Sequence, residues 1–327
     1  MNPMIKQIVV ELDNGAASAK RFRVVSLFSG CGGMDLGFRG GFTIFGSTYE
    51  KLPFDIIWAN DISEPACKTY RKNLGEHIIC DDIWKLIESN FIPKADVVIG
   101  GFPCQDISIN GKGAGVNGNT RSGLYRAMIK VVSRCNPRVF VAENVKALLQ
   151  RNNRESLARV VSDFSELGYN LSYNLYLAAD YGVPQMRERI FIVGTRQGVK
   201  PFHHPWSVMP RADWRTSKFA IGDLEGLPES EENNHIWSRA ERSPEQGDRH
   251  IKADQPSDTI RAECHGNIQY HYALPRRLSM REAARIQSFP DNFIFACKLR
   301  ETERQVGNAV PPILAWHIAK AVSECLL

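Results

Sequence analysis

One thiol, one carboxylate and two guanidiniums stand where the chain could do chemistry. Cys104 lies in Gly100-Gly101-Phe102-Pro103-Cys104-Gln105, directly after the apolar run Val97-Val98-Ile99. Such a run reads as a buried strand emptying into a tight loop, and ligands of open α/β sheets bind at the carboxyl ends of strands. Proline fixes the backbone before the thiol, and paired glycines let main chain approach a ligand. A cysteine delivered there is placed as a nucleophile, although a solitary cysteine is as readily a small core residue. Glu143 closes a second apolar run, Val139-Phe140-Val141-Ala142. A carboxylate is costly to desolvate, so Glu143 is either a paired structural acid or a proton donor. Arg187 and Arg189, in Gln185-Met186-Arg187-Glu188-Arg189, lead into a third run, Ile190-Phe191-Ile192-Val193. Period two puts both on one strand face, where they suit carbonyl or phosphate oxygens, or else a surface salt-bridge ladder.

A second group of residues has the makings of a nucleotide crevice. Phe28-Ser29-Gly30-Cys31-Gly32-Gly33 follows the first apolar run and opens a helical pattern. Its spacing departs from the dinucleotide fingerprint, but such a turn lets backbone approach a ligand. Asp61 ends the second strand pattern, where an acid can take both hydroxyls of a ribose, and Asp82 ends another. Acids at strand ends are also ordinary helix caps.

These residues must be positioned by a βαβ succession. Strands are predicted over 24–28, 56–60, 97–100, 139–143, 171–177 and 190–195, and helices over 64–73, 124–135 and 154–167. The alternation predicts a largely parallel sheet. From 200 to 275 the chain is rich in Pro, Trp, His, Asn and Ser with few regular periods, which predicts a small, irregular second domain. Helical patterns return over 279–287 and 313–325.

The 327 residues are 43% hydrophobic and 24% charged, with no apolar run near 18 residues, so no membrane span is expected. Residues 1–20 show no secretory signal pattern, so a cytoplasmic protein is expected. The eight cysteines form no CxxC pair and no zinc-type cluster, so neither a disulfide framework nor a bound metal is indicated. A net charge of +5 is compatible with a polyanionic partner, and residues 276–304 hold Arg276, Arg277, Arg281, Arg285, Lys298, Arg300 and Arg304. Phosphate contacts would therefore be local.

The order of these blocks resembles the DNA cytosine-5 methyltransferases of bacterial restriction-modification systems over nearly the whole chain. The family's FxGxGG motif is matched by Phe28 to Gly33, its acid after the second strand by Asp61, and its acid before isoleucine by Asp82-Ile83. PCQ, ENV, QxRxR, RxLxxREAARxQxFPD and QxGNxVPP follow in order, matched by Pro103 to Gln105, Glu143 to Val145, Gln185 to Arg189, Arg277 to Asp291 and Gln305 to Pro312.

The resemblance implies a Rossmann-like α/β methyltransferase sheet with a small inserted target-recognition domain. The expected division is 1–194 for catalysis and cofactor, 195–275 for target recognition, and 276–327 completing the catalytic domain. The implied reaction moves a methyl group from S-adenosyl-L-methionine to carbon 5 of a cytosine flipped out of double-stranded DNA. Cys104 would add to carbon 6, Glu143 would hold a proton at ring nitrogen 3, Arg189 would bind the carbonyl oxygen, and Arg187 would support the thiolate. The implied cofactor site comprises Phe28, Ser29, Gly30, Cys31, Gly32, Gly33, Asp61, Ile62, Asp82, Ile83, Pro103, Leu124, Asn308 and Ala309. Ser108, Lys112 and Arg121, in a glycine-rich loop, and Arg261, His265, Asn267 and Gln269, in the recognition domain, are candidate DNA contacts. Residues 255–272 are similar to those of members acting on GG-centre-CC sites.

Two departures from the family pattern stand out. Ile62 takes the place of a bulkier aromatic, and Gly46 to Pro53 looks inserted near the cofactor pocket. A cognate restriction endonuclease is the expected functional partner, and a monomer is the expected state. A tRNA cytosine methyltransferase of the same family, a catalytically dead DNA-binding protein and a nicotinamide-dependent oxidoreductase are the alternatives. The intact catalytic set and the poor dinucleotide fingerprint weigh against the last two.

Overall fold

The computed structural model describes residues 20–102, 123–240, 249–262 and 269–327. Its strands are β1 (Phe22–Leu27), β2 (Phe42–Ile44), β3 (Ser47–Tyr49), β4 (Phe54–Asp61), β5 (Ile78–Cys80), β6 (Val97–Gly101), β7 (Val139–Val145), β8 (Tyr169–Leu177), β9 (Gln185–Met186), β10 (Glu188–Arg196) and β11 (Ser257–Asp258). The helices are α1 (Gly33–Arg39), α2 (Glu64–Leu74), α3 (Ile83–Glu88), α4 (Leu124–Cys135), α5 (Arg154–Ser165), α6 (Ser217–Ile221), α7 (Met280–Ile286), α8 (Leu299–Asn308) and α9 (Pro312–Leu326).

Seven strands form one sheet in the order β5-β4-β1-β6-β7-β10-β8. The five on the β5 side, β5 to β7, run parallel, whereas β10 is antiparallel to both β7 and β8. The central strands are apolar on both faces: every residue of β7 except Val145 is buried. Helices therefore cover the sheet on both sides. On one face, α4 buries Tyr125, Ala127, Met128, Val131, Val132 and Cys135, a helical stripe. Phe140 lies against Gly194, where a Cβ would come within 2.0 Å of its ring, and stacks on Phe164 of α5 with ring centroids 4.3 Å apart. On the other face α9 lies on α1 so closely that a Cβ on Gly37 would sit 2.4 Å from that of Ala315.

The extra residues after α1 are not beside the presumed cofactor pocket. α1 runs back from the carboxyl end of β1, so β2 and β3, a short antiparallel hairpin, form at the opposite end of the sheet. There Tyr49 packs edge-on to Trp316 of α9, whose indole N–H donates to Glu50 O at 2.9 Å. The insertion props the C-terminal helix.

Residues 200–275 contribute only α6, β11 and single turns among the described residues, as their composition predicts. Their buried apolar side chains, among them Ala220, Ile221, Leu224, Ile251 and Ile260, join the cluster formed by α1, α7 and α9. Among the described residues no helix is long and apolar enough to cross a membrane, and no group of His, Cys, Asp and Glu could hold a metal.

Candidate active site

β7 carries Glu143 between Gly101 of β6 and Phe191 of β10, its register partners. Glu143 Oε1 meets Arg189 Nε at 2.8 Å, and the two side chains are only 11% and 12% exposed. Burial pushes the Glu143 carboxyl above the usual carboxylate range against the pull of Arg189 and Arg187. The pair is thus a buried acid that is easier to protonate than a solvated one, fixed by a guanidinium. Gly101 is there for room: a Cβ on it would lie 2.7 Å from Glu143 Oε2.

Asn144, beside Glu143 and buried, donates from Nδ2 to Phe102 O at 2.9 Å. It pins the last described residue before Pro103 and Cys104. The sequence reading gave Asn144 no role; a polar amide closing an otherwise apolar strand was the available signal. Pro103, Cys104, Ser108, Lys112 and Arg121 lie outside the described residues.

Arg187 is fully buried. Its Nη1 donates to Ile260 O at 2.9 Å, and its Nη2 to Gly307 O at 2.8 Å and Ala309 O at 3.0 Å. Its Nε has no partner among the described residues. The structure therefore places Arg187 as a clasp on three carbonyls, with Arg189 next to the acid.

The glycine-rich turn sits at the carboxyl ends of β1 and β4. Phe28, Gly30 and Gly32 all have positive φ, at 54°, 56° and 93°, a conformation that favours glycine. Gly30 N–H donates to Asp61 Oδ2 and Ser63 N–H to Asp61 Oδ1, each at 2.8 Å. Asp61 thus braces two loops, and its carboxylate keeps acceptor capacity for a ligand hydroxyl. Ser29 N–H donates to Asn60 O at 2.9 Å. A Cβ at Gly30 would meet nothing within 4 Å, so this face of the turn is open. Ile62 is 73% exposed beside it.

The other expected cofactor residues divide by burial. Cys31 and Ile83 are buried; burial pushes the Cys31 thiol well up, and it donates to Gln305 O. Asp82 caps α3, its Oδ1 accepting from Trp84 N–H at 2.7 Å. Leu124 opens α4 beside Gly123, which packs on Trp84. Asn308 is exposed at the end of α8 and Ala309 is buried after it. Gly33 packs on the Val310 carbonyl, where a Cβ would come within 2.5 Å, so the turn and the 308–310 segment meet directly.

Beneath the turn, Asp35 is fully buried and accepts from Ser26 Oγ at 2.9 Å and Tyr70 Oη at 2.8 Å. Ser26 also bonds Ser29 Oγ at 2.8 Å, which ties this acid to the turn. Burial raises Asp35 to about 6.

Of the expected DNA contacts, Arg261 is exposed, while His265 and Asn267 lie outside the described residues. Gln269 is corrected: it is buried, and its Nε2 donates to Asp258 O and Thr259 O at 3.2 Å and 3.4 Å. Its donors brace β11 and are not presented to a groove.

A mostly parallel sheet with helices on both faces, a glycine turn and an acid at the end of β4, and a buried acid–guanidinium pair at the end of β7 define a Rossmann-like methyltransferase. Structural neighbours agree on the fold. A prophage-encoded DNA modification methyltransferase from E. coli aligns with TM-score 0.69 and 24% identity, covering 93% of this chain and 99% of that one. Schizosaccharomyces pombe Dnmt2 methyltransferase aligns with TM-score 0.68 and 18% identity over 93% of this chain and 99% of its own.

The chain belongs to the C-5 cytosine-specific DNA methylase family, whose model matches residues 22–254 and 237–324. The Type II methyltransferase M.NgoFVII of Neisseria gonorrhoeae is 34% identical over 348 residues, covering 95% of this chain and 89% of that one. M.FnuDI of Fusobacterium nucleatum is 35% identical over 340 residues, covering 93% and 95%. The protein is a DNA cytosine-5 methyltransferase of bacterial restriction-modification type.

Proposed function

We propose that the protein methylates carbon 5 of one cytosine in a short duplex sequence through a covalent adduct with Cys104, using S-adenosyl-L-methionine. The observation that carries this reading is the buried Glu143, raised above the usual carboxylate range and held by Arg189 beside Gly101 of β6.

Carbon 5 of cytosine is too weak a nucleophile to take a methyl group unaided. The Cys104 thiolate adds to carbon 6, forming an S–C bond, while ring nitrogen 3 takes the proton that Glu143 holds. The ring electrons then concentrate at carbon 5. S-adenosylmethionine, when bound, would supply to that carbon an electrophilic methyl group, its methyl–sulfonium bond breaking to leave the neutral thioether S-adenosylhomocysteine. Loss of the carbon 5 proton then expels the Cys104 thiolate, and return of the nitrogen 3 proton to Glu143 restores the neutral ring and the acid. Arg189 binds the carbonyl oxygen of the ring, and Arg187 acts as a positioning residue through the carbonyls it clasps. A stacked cytosine hides both carbons, so the base must be flipped out of the duplex.

The crevice suits an adenosyl group. The open face of Gly30, the acceptor capacity of Asp61 and the exposed apolar Ile62 offer a close approach, a ribose acceptor and a ring contact respectively. Asn308 and Ala309 close it from the C-terminal side. Residues 195–275 form the target-recognition domain, joined to the 276–327 segment that completes the catalytic domain, with the exposed Arg261 as one reader. A restriction endonuclease of the same specificity is the functional partner, as the Type II relatives suggest.

Purified protein with methyl-labelled S-adenosylmethionine should label duplex DNA and not tRNA, and Cys104→Ser should abolish it. Labelling of tRNA alone would sink the DNA reading.

A further inference from the structure

A closed ring of buried hydrogen bonds runs between the active-site strand, the segment ahead of the candidate DNA readers and the cofactor-facing turn. Ile260 enters it through both backbone groups. Its N–H donates to Gln185 Oε1 at 3.0 Å and its carbonyl accepts from Arg187 Nη1 at 2.9 Å. Gln185 Nε2 donates to Gln287 Oε1, and Gln287 Nε2 donates to Ala309 O at 2.6 Å. Arg187 Nη2 donates to the same Ala309 carbonyl and closes the ring. Gln185, Arg187 and Gln287 are all wholly inaccessible.

Neither glutamine touches the reacting groups, and an apolar side chain would fill the space of either without the cost of burying an amide. What the amides supply is register. β11 pairs in parallel with β9, so Ser257 and Asp258 are in step with Gln185 and Met186, just before Arg187 and Arg189. Gly307 adds a rigid contact: a Cβ there would lie 2.3 Å from Ala262 N, so the two backbones touch with no side chain between them. A shift of residues 260–262 cannot be absorbed at this seam. It must move Arg187, and with it the turn that carries Asn308 and Ala309.

We propose that Gln185 and Gln287 are specificity-determining positioning residues. They make correct seating of the reading segment a condition for correct placement of Arg189, Glu143 and the cofactor turn, so a wrong sequence is rejected at the methyl-transfer step as well as in binding. This rests on the reading that Arg261 contacts the DNA bases.

The test is single-turnover methylation by full-length wild type, Gln287→Met and Gln185→Met. The substrates are a duplex carrying the site mapped for this enzyme by bisulfite sequencing and a duplex with one base pair of that site changed. Each variant breaks two links of the ring and should lower the cognate rate constant about tenfold. The altered-site rate constant and cognate DNA affinity should each stay within about threefold. Discrimination therefore collapses, while Ala309 O keeps its Arg187 bond and the fold survives. The burst amplitude reports the active fraction separately from the rate constant, so partial misfolding of either variant does not mimic this result. Equal falls on both duplexes, unchanged discrimination, or a wild type that discriminates only in affinity would overturn the proposal. A wild type that methylates no DNA would instead overturn the reaction assigned above.

Discussion

Gly101→Ala places a methyl group against the catalytic acid without replacing any charged residue. Gly101 has no positive φ, so its backbone accepts alanine. The new Cβ would stand 2.7 Å from Glu143 Oε2 and 3.9 Å from the carboxyl carbon. Ordinary contact requires the oxygen to retreat by roughly 0.6 Å. A free glutamate would swing away at little cost. Glu143 is not free, because its other oxygen is bound to Arg189 Nε at 2.8 Å. The displacement must strain that charge-assisted bond, worth about 1.5–3 kcal/mol, or drag Arg189 with it. Misplacement by 1 Å near the chemistry costs on the order of 100-fold, so kcat should fall about 10- to 100-fold. Global stability should change by less than about 1 kcal/mol, since alanine reduces the entropy of the unfolded chain by a comparable amount. Single-turnover transfer of labelled methyl to DNA, with urea melts in parallel, measures both. A folded Gly101→Ala protein with wild-type kcat would refute the placement of Glu143 in the reaction.

Three further outcomes follow from the same geometry. Asp35 is raised to about 6, so between pH 4 and 6 the native state binds more protons than the unfolded chain and stability falls as pH rises. Against a solvated aspartate near 3.9 this costs roughly 3 kcal/mol above pH 6. Asp35→Asn should lack that decline in urea melts from pH 4 to 7, and parallel profiles for the two proteins would count against it. Asn144→Ala removes the bond to Phe102 O and leaves a buried carbonyl unpaired, at about 1–3 kcal/mol. It should lower kcat more than DNA affinity, read by transfer kinetics beside gel-shift titration. Asp61→Asn leaves one of the Gly30 and Ser63 N–H groups without an acceptor. Calorimetry should show S-adenosylhomocysteine binding weakened about tenfold or more.

Much of the sheet was legible because parallel strands are buried on both faces and stand out as continuous apolar runs. The helix predicted over 124–135 has the same bounds in the structure, since Asn136 turns left-handed at its end. The strand predicted over 171–177 begins earlier, at Tyr169, because Asn170 is held by its pairing with Thr195 in an edge ladder that no apolar pattern announces. The direction of the strand predicted over 190–195 was hidden too: β10 runs antiparallel to both neighbours, a matter of crossovers and not of local sequence. The hairpin of β2 and β3 was read only as an insertion, for its support comes from Trp316 more than 260 residues away. Glu143 and the arginines could be named from position and residue type, and the family resemblance implied different roles for Arg187 and Arg189, but the physical basis of that difference was not legible. It depends on carbonyls of Ile260, Gly307 and Ala309 that only the folded chain brings together. The burial of Gln269 was hidden for the same reason, since its amide N–H groups turn to neighbouring backbone.

The most direct test of the central claim is covalent trapping. A duplex bearing 5-fluorocytosine at the target position blocks loss of the carbon 5 substituent, so the enzyme cannot be released. With S-adenosylmethionine present, denaturing electrophoresis and mass spectrometry should show a protein–DNA adduct at Cys104, absent in Cys104→Ser. An enzyme that methylates ordinary duplex DNA but forms no adduct on the fluorinated one would contradict the account.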